Sequence, residues 1–144
     1  MGTSCGITVK VEKDKCLHVY CHGDGDLYGA GKTLNGNYNS LRRVKDLVEM
    51  GNISLLRPYI HPDPDLPHEW FDFDPGKLQA DVCRFYIRDR GDEHQETEVL
   101  SHRDEAPDYE HNYYFNGEKW LYRAEGKKRW VNLENLLFKK GISN

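Results

Sequence analysis

The start of the chain alternates apolar and polar residues as two half-buried β-strands do, and this pattern constrains the fold more than any other feature. Isoleucine and valine alternate with polar residues from 7 to 12, and a second alternation runs from 17 to 21 after a short charged turn. Successive side chains of a strand point to opposite faces, so each strand buries one face. We therefore expect an antiparallel hairpin whose second strand carries on its polar face His18, Tyr20 and His22.

Two clear helices and one weaker helix are predicted from capping residues and apolar spacing. The first clear helix begins after Ser40 and ends at Gly51, and the second begins after Asn132 and ends near Gly141. The weaker helix runs from 28 to 38, where three glycines lower the helix propensity.

Further strands are predicted in the second half of the chain. Asn116-Gly117 is a strong hairpin signal and joins predicted strands at 111–115 and 118–123, with a last strand at 129–131. The charged residues 89–98 are expected to be exposed. Together these elements predict an α+β fold, a mainly antiparallel sheet with two or three helices packed on one face.

One more predicted strand, at 82–88, bears directly on function. Its alternation places three residues on the polar side, Arg84, Tyr86 and Arg88. If this strand shares a sheet face with His18, Tyr20 and His22, these side chains lie close together. The guanidinium groups could then bind a phosphate or carboxylate, and the tyrosine rings could stack on a planar base. The same residues also fit a solvated sheet face on which arginines pair with acids.

Length and composition predict a single domain over residues 1–144, in a cytosolic protein. No stretch approaches the ~18 to 20 apolar residues of a membrane span, and the N-terminus lacks the apolar run of a signal peptide. Five of the six prolines lie between 58 and 75, among several acidic residues, so we expect a long proline-rich acidic loop at about 58–80. Its aromatic residues, Trp70, Phe71 and Phe73, are expected to pin it to the body.

Charge and cysteine content exclude some classes of site. The net charge of −4 argues against a protein that relies on bulk attraction to nucleic acid. The four cysteines form no Cys-x-x-Cys pair that would nucleate a zinc site. Cys21 and Cys83 fall within apolar alternation and are expected to be small buried hydrophobes.

Two familiar motifs are approached but not matched. Gly31-Lys32-Thr33 lacks the preceding glycine of a phosphate-binding loop, whose place is taken by Asp26. The turn can still present amides to an anion beside Lys32, or it is simply a tight turn that needs glycine. An EF-hand loop starting at Asp24 would need a glutamate at its twelfth position, which here is Asn35.

Metal chemistry is a weaker alternative. His18 and His22 are four residues apart, which on a strand separates them by roughly 13 Å, too far to share a metal ion. A metal-dependent hydrolase assembled in space from His22, Asp24, His61 and Asp63 remains open, although no sequence motif demands it.

Several short segments occur in the same order in another group of proteins. They are the opening Met-Gly-Thr-Ser-Cys-Gly-Ile, Tyr20-Cys21-His22-Gly23-Asp24-Gly25, residues 29–34 before Tyr38-Asn39, Arg88-Asp89-Arg90-Gly91, and Tyr113-Tyr114-Phe115 with Trp120. In these segments the chain resembles a family of small phage and prophage proteins that begin Met-Gly-Thr-Arg-Ser and carry Tyr-Cys-His-Trp-Asp-Gly. This chain departs from them at Ser4, in place of the arginine, and at Gly23, in place of the tryptophan.

The resemblance implies a viral origin and action in the cytoplasm of a bacterial host, but it supplies no reaction. Small phage proteins without catalytic motifs often counter host defences. They do so by sequestering a nucleotide-derived immune signal or by blocking a defence protein such as a CRISPR effector.

The leading hypothesis is therefore a non-enzymatic counter-defence protein that sequesters a small anionic nucleotide signal, without cofactor, metal, nucleic acid or membrane. Homo-oligomerisation is left open. The predicted ligand contacts are Tyr20, His22, Asp24, Gly25, Lys32, Arg84, Tyr86, Arg88 and Arg90. The alternative is an inhibitor whose acidic residues between 63 and 74 mimic nucleic acid against a basic defence protein. A metal-dependent hydrolase or nuclease is the second alternative.

Overall fold

One mixed β-sheet organises the described residues, 3–70 and 78–142, of this computed structural model. The strands are β1 (Cys5–Glu12), β2 (Lys15–Cys21), β3 (Ile53–Leu55), β4 (Arg84–Phe85), β5 (Glu98–Leu100), β6 (His111–Phe115), β7 (Trp120–Ala124) and β8 (Val131–Asn132). The α-helices are α1 (Lys32–Asn37), α2 (Leu41–Val48), α3 (Tyr86–Arg90) and α4 (Leu133–Lys139). A π-helical turn at Leu27–Gly31 leads into α1, and a 3-10 turn covers Arg103–Glu105.

The strand order is β4-β3-β2-β1-β6-β7-β8, and β5 pairs with β2 beside this path. The α+β class is confirmed, and five of the seven pairings among the described strands are antiparallel. The two parallel pairings, β1 with β6 and β2 with β3, join strands that are distant in sequence. The two edges of the main path are therefore β4 and β8.

The predicted hairpins and helix caps are confirmed. β1 and β2 pair with Ile7 opposite Val19. The Ser40 hydroxyl accepts the N–H of Arg43 at the start of α2, and the Asn132 side chain accepts the N–H of Asn135 at the start of α4. Side-chain oxygens at these positions satisfy helix amides that have no partner within the helix.

The apolar core lies on one face of the sheet, where α2 contacts β1 and β2 and α4 contacts β7. The buried side of α2 consists of Val44, Leu47 and Val48, as its spacing predicts. Between the helices, the indole N–H of Trp120 donates to the carbonyl of Tyr38 at 2.7 Å. Within the described residues, no helix is both long enough and apolar enough to cross a membrane.

The opposite face of the sheet is less open than the strand pattern predicts. Thr8, His18 and Asn112 are at most 5% exposed there. Tyr109 stacks on His18 with ring centroids 5.7 Å apart. This face is therefore partly covered by the chain around Tyr109, and His18 is a buried residue rather than a surface ligand.

The predicted strand at 82–88 is wrong. Only Arg84–Phe85 forms a strand of the sheet, Val82 makes an isolated bridge to Tyr59, and the chain turns into α3 after Phe85. The carboxylate of Asp89 accepts the N–H of Phe85 at 2.8 Å, and the N–H of Tyr86 donates to the carbonyl of Asn52 at 3.3 Å. These contacts start a helix where the pattern predicts a strand, so side chains after Phe85 do not alternate between two faces. The short strand β5 was not predicted, and only its first residue, Glu98, belongs to the segment that was expected to be exposed.

Candidate functional site

Arg84 is the most deeply buried charged residue of the described chain, with no exposed surface. Its guanidinium donates to the backbone carbonyls of Glu69 at 2.9 Å and Val82 at 2.6 Å. It also lies 3.4 Å from the carbonyl of Gln79. The predicted role of Arg84 as an anion contact is therefore corrected, because this side chain joins the two described parts of the acidic loop instead of facing an open site.

Arg88 has a similar role on the other side of the loop. Its guanidinium donates to the carbonyls of Ile60 at 2.7 Å and Cys83 at 2.9 Å, and it pairs with Asp89 at 2.8 Å. Burial by itself would raise the pKa of Asp89, but hydrogen bonds from Arg88 and from the N–H of Phe85 outweigh it and lower that pKa. The predicted role of Arg88 as a ligand contact is therefore also corrected, because its side chain anchors the loop from within the protein.

His68 completes this anchor from within the loop. Its Nε2 lies 3.0 Å from the Asp89 carboxylate, which can only accept, so Nε2 carries the hydrogen. Burial and the nearby Arg84 charge lower the pKa of His68. A neutral imidazole thus links the acidic loop to the start of α3.

Gln79 closes the loop from its far end, in a left-handed backbone conformation with φ of 59°. Its side-chain amide donates to the carbonyls of Leu66 at 3.1 Å and Pro67 at 2.7 Å, and its oxygen accepts the N–H of Asp63 at 2.5 Å. Arg43 of α2 donates to the carbonyl of Pro58. The described parts of the loop, 58–70 and 78–83, are thus held by side chains from several directions.

This loop presents carboxylates and apolar side chains outward. We call the exposed set the acidic platform, and it consists of Tyr59, Asp63, Asp65, Leu66, Glu69, Leu78 and Asp81. Tyr59, Leu66 and Leu78 are 60%, 43% and 56% exposed. The other predicted acidic and aromatic residues of the loop, Phe71, Asp72, Phe73 and Asp74, lie outside the described residues.

The amides of Gly29 and Ala30 in the glycine-rich turn after β2 are already hydrogen-bonded within the chain. The N–H of Gly29 donates to the Asp26 carboxylate at 3.1 Å, and that of Ala30 donates to the Asp24 carbonyl at 2.7 Å. The Asp26 carboxylate therefore occupies the position that a bound anion would take. The predicted anion-presenting turn is corrected to a self-satisfied turn.

Close approach of the backbone explains a glycine in this turn. A Cβ atom built on Gly29 would overlap the carbonyl oxygen of Asp24, which is backbone and cannot move aside. Gly25 is also internal, since its N–H donates to the carbonyl of Thr3 at 2.6 Å and its carbonyl accepts the Tyr113 hydroxyl at 2.8 Å. Tight packing is thus the reason for these glycines.

Asp24 and Lys32 make no described contact with the predicted arginines. Asp24 lines an open cleft of about 370 Å³ together with Asp26, Tyr28 and Arg57. Lys32 is exposed at the start of α1, and its backbone N–H closes the π-helical turn onto Leu27 and Gly29. The predicted grouping of Lys32 with Arg84 and Arg88 is therefore not formed.

Tyr20 and His22 do meet, as the alternation of β2 predicts. The Tyr20 hydroxyl lies 2.7 Å from Nδ1 of the exposed His22. Tyr109 lies beside Tyr20 with ring centroids 5.6 Å apart. Burial raises the pKa of Tyr20, and the proximity of Tyr86 raises it further. This end of β2 thus carries an aromatic cluster next to Tyr86.

Tyr86 and Arg90 also meet, in a group that includes Trp70. The Arg90 guanidinium lies 5.0 Å from the ring centre of Tyr86 and 5.4 Å from that of Trp70. Its side chain is 51% exposed and pairs with Asp92 at 3.1 Å. We call the set Tyr20, Trp70, Tyr86 and Arg90 the aromatic patch.

The structure therefore divides the predicted ligand set into three groups. Tyr20, His22, Tyr86 and Arg90 lie in or beside the aromatic patch, Arg84 and Arg88 are internal anchors, and Asp24, Gly25 and Lys32 belong to the turn before α1. Sequence reasoning missed Gln79 and His68 as loop anchors. A polar residue among prolines carries no periodic signal, so no pattern could have found them.

Metal ligation has little geometric support in the described part of the chain. Within residues 3–70 and 78–142, no three His, Cys, Asp or Glu side chains are grouped so that they could hold a metal ion. His61, one of the residues considered for a hydrolase, pairs instead with Asp46 of α2 at 3.1 Å.

Comparisons with protein-family models, with curated proteins and with solved structures give no match for this chain.

Proposed function

We propose that this protein is a non-enzymatic inhibitor that docks its acidic platform onto a basic surface of a host defence protein. The observation that carries the proposal is the anchoring of the platform. Arg84 and Arg88 each donate to two or more loop carbonyls, and both start from the same short segment after the loop. The arginines that would otherwise bind an anion are used to hold acidic side chains outward.

Anchoring of this kind favours binding because it lowers the entropy that a loop loses when it meets a partner. Proline at several positions adds to the effect by restricting the free chain. A surface of fixed carboxylates is then ready to meet a basic partner without first folding.

Charge and apolar surface occur together on the platform. Four carboxylates (Asp63, Asp65, Glu69 and Asp81) are exposed there, beside three exposed apolar side chains. Carboxylates steer a basic partner and select against acidic ones, while apolar side chains supply contact area. The combination suits a protein partner better than a simple cation.

The class of partner comes from the resemblance to small phage proteins. The resemblance implies action in a bacterial cytoplasm, and small phage proteins without catalytic motifs often counter host defences, of which CRISPR effectors are one kind. The surfaces with which these defences hold nucleic acid are basic, and a rigid acidic platform is complementary to them.

The test is a plaque assay in bacterial strains that each carry one defence system, with and without this protein. We expect the wild type to restore phage growth in a responsive strain and a platform variant (D63N, D65N, E69Q, D81N) to lose this activity. The matched control (E110Q, E118Q, E125Q, E134Q) removes four exposed carboxylates elsewhere and should behave as the wild type. A platform variant that folds and remains fully active would contradict the proposal.

A second candidate function, sequestration of a small nucleotide signal, is favoured by one observation. The half-exposed Arg90 lies over both Tyr86 and Trp70, so a cation and two rings are grouped at the surface. Rings suit the face of a base and a guanidinium suits a phosphate. Mass spectrometry of small molecules released from the purified protein tests it, and Y86A should then lose the ligand while the platform variant keeps it.

A further inference from the structure

A basic surface occupies the edge of the sheet opposite to the acidic platform. The platform leads into β4 at one edge of the main strand path, and β8 forms the other edge. Between residues 127 and 140 the chain has five Lys or Arg residues and one Glu, although its net charge is −4. These cations are all exposed, and they are Lys127, Lys128, Arg129, Lys139 and Lys140.

Apolar groups lie among these cations. Phe138 of α4 is 85% exposed, more than any other large hydrophobic residue of the described chain, and Val131 of β8 is 36% exposed. A cleft of about 330 Å³ runs between β8 and α4, and its lining includes Trp130, Val131 and Leu136. Its volume suits one or two side chains of a partner rather than a large ligand.

Trp130, one of the residues that line this cleft, is held by contacts to its ring. Trp130 lies against Tyr114 with ring centroids 5.8 Å apart, and the guanidinium groups of Arg103 and Arg123 lie 4.9 and 5.1 Å from its ring centre. A fixed indole beside an edge strand gives a partner a preformed surface to pack against.

We propose that the surface formed by β8 and α4 binds an extended acidic peptide segment of a partner protein. β8 pairs with β7 on one side, and no described strand pairs with its other side. An edge strand can accept a further strand through its backbone groups, with pockets for alternate side chains. The surrounding lysines and arginines select an acidic segment, and Phe138 and Val131 select apolar residues within it.

An acidic peptide fits this surface better than a nucleic acid does. The centre of the surface is apolar, and binding at an edge strand uses backbone hydrogen bonds that a nucleic acid cannot supply. The rest of the chain is acidic and would repel a long polyanion. This inference does not depend on the proposed function, because its residues are separate from the acidic platform.

The experiment uses the full chain and a fluorescein-labelled twelve-residue peptide of alternating Glu and Val, with a Lys and Val peptide as its control. We expect the Glu peptide to bind, and the Lys peptide not to bind. K128E combined with K139E should weaken binding by about tenfold, since two exposed charge pairs become repulsive. The matched control K13E combined with K45E reverses two exposed lysines elsewhere and should leave the affinity unchanged.

A second measurement checks where the peptide binds. Hydrogen exchange at residues 129–133 should slow on addition of the Glu peptide, as expected for a newly paired edge strand. Failure of the peptide to bind, equal affinity of the K128E/K139E variant, or unchanged exchange at 129–133 would overturn the proposal. Tighter binding of a twelve-nucleotide single strand would assign the surface to nucleic acid instead. If the protein self-associates and both the K128E/K139E variant and the platform variant lose this self-association, the surface formed by β8 and α4 would instead bind a second copy of the chain.

Discussion

The guanidinium of Arg88 donates to the backbone carbonyl of Ile60 at 2.7 Å and so joins helix α3 to the start of the acidic loop, 28 residues earlier in the chain. The same side chain pairs with Asp89, whose carboxylate is nearly fully buried. One arginine therefore supports both the helix and the platform.

Replacing Arg88 with alanine should lower the free energy of unfolding by about 3 kcal/mol, because it leaves the buried Asp89 carboxylate without its main partner. Urea denaturation monitored by tryptophan fluorescence measures this change. Arg42→Ala removes an exposed arginine and should cost less than about 0.5 kcal/mol. Equal stability of the two variants would show that the Arg88 anchor contributes little.

Replacing Gly29 with alanine should destabilise the protein by about 2 kcal/mol or more, because the new methyl group overlaps the backbone carbonyl of Asp24. Gly36→Ala is the matched control. Gly36 is an exposed residue within α1, where alanine should instead add about 0.5 to 1 kcal/mol of stability. Opposite signs of the two changes in thermal unfolding would support the described turn, and a harmless Gly29→Ala would contradict it.

Stability should fall as the pH drops below about 6.5, the pKa of histidine in an unfolded chain. Burial lowers the pKa of His18 to about 4, and burial also lowers the pKa of His68 and His111. Between these two pH values the unfolded chain binds a proton at His18 that the folded protein does not. The neutral His18 therefore contributes its full stabilisation above pH 6.5. This contribution is lost as the pH falls to about 4, which lowers the free energy of unfolding by about 3 kcal/mol for His18 alone.

This pH dependence has a direct test. The imidazole of His18 should titrate by NMR with a midpoint near 4 in the folded protein, while its Nδ1 remains 2.8 Å from the Thr8 hydroxyl. A midpoint close to 6.5 would mean that His18 is accessible to water and that the covered sheet face is described incorrectly.

The thiols should be unreactive in the folded protein. All four cysteines are buried and reduced, which confirms the prediction for Cys21 and Cys83. Burial raises the pKa of Cys5 and Cys83, so the reactive thiolate is scarce. An aromatic disulfide reagent should therefore react only after denaturant is added. Ser101→Cys, at an exposed position, should add one thiol that reacts at once, and rapid reaction of the wild type would contradict the buried arrangement.

Local patterns in the sequence were sufficient for the elements whose cause is local. Alternation in residues 7–21 predicted the β1–β2 hairpin, Ser40 and Asn132 predicted the starts of α2 and α4, and Asn116-Gly117 predicted the β6–β7 turn. Each of these depends on residues within a few positions of one another, so the spacing alone carries the information.

The same patterns failed after Phe85, where distant contacts decide the backbone. The apolar alternation from 82 to 88 suits a strand, but Asn52 and Asp89 satisfy the amides of Phe85 and Tyr86 in a way that starts a helix. A strand that continued to residue 88 would have exposed Arg88 to a ligand, whereas Arg84 lies in β4 and is nevertheless buried by its contacts with the loop. The helix instead turns Arg88 back onto Ile60.

By itself, the sequence determined the α+β class, the hairpins, the helix caps and the burial of Cys21 and Cys83, because periodicity and capping act over short distances. Only the tertiary structure decided what the charged residues do. Arg84 meets Glu69 and Arg88 meets Ile60 across 15 and 28 residues, and the hydrogen-bonding partners are backbone carbonyls, which every residue possesses. A backbone carbonyl acceptor cannot be recognised from residue types. An arginine that anchors a loop and an arginine that binds a ligand therefore cannot be told apart from the sequence alone.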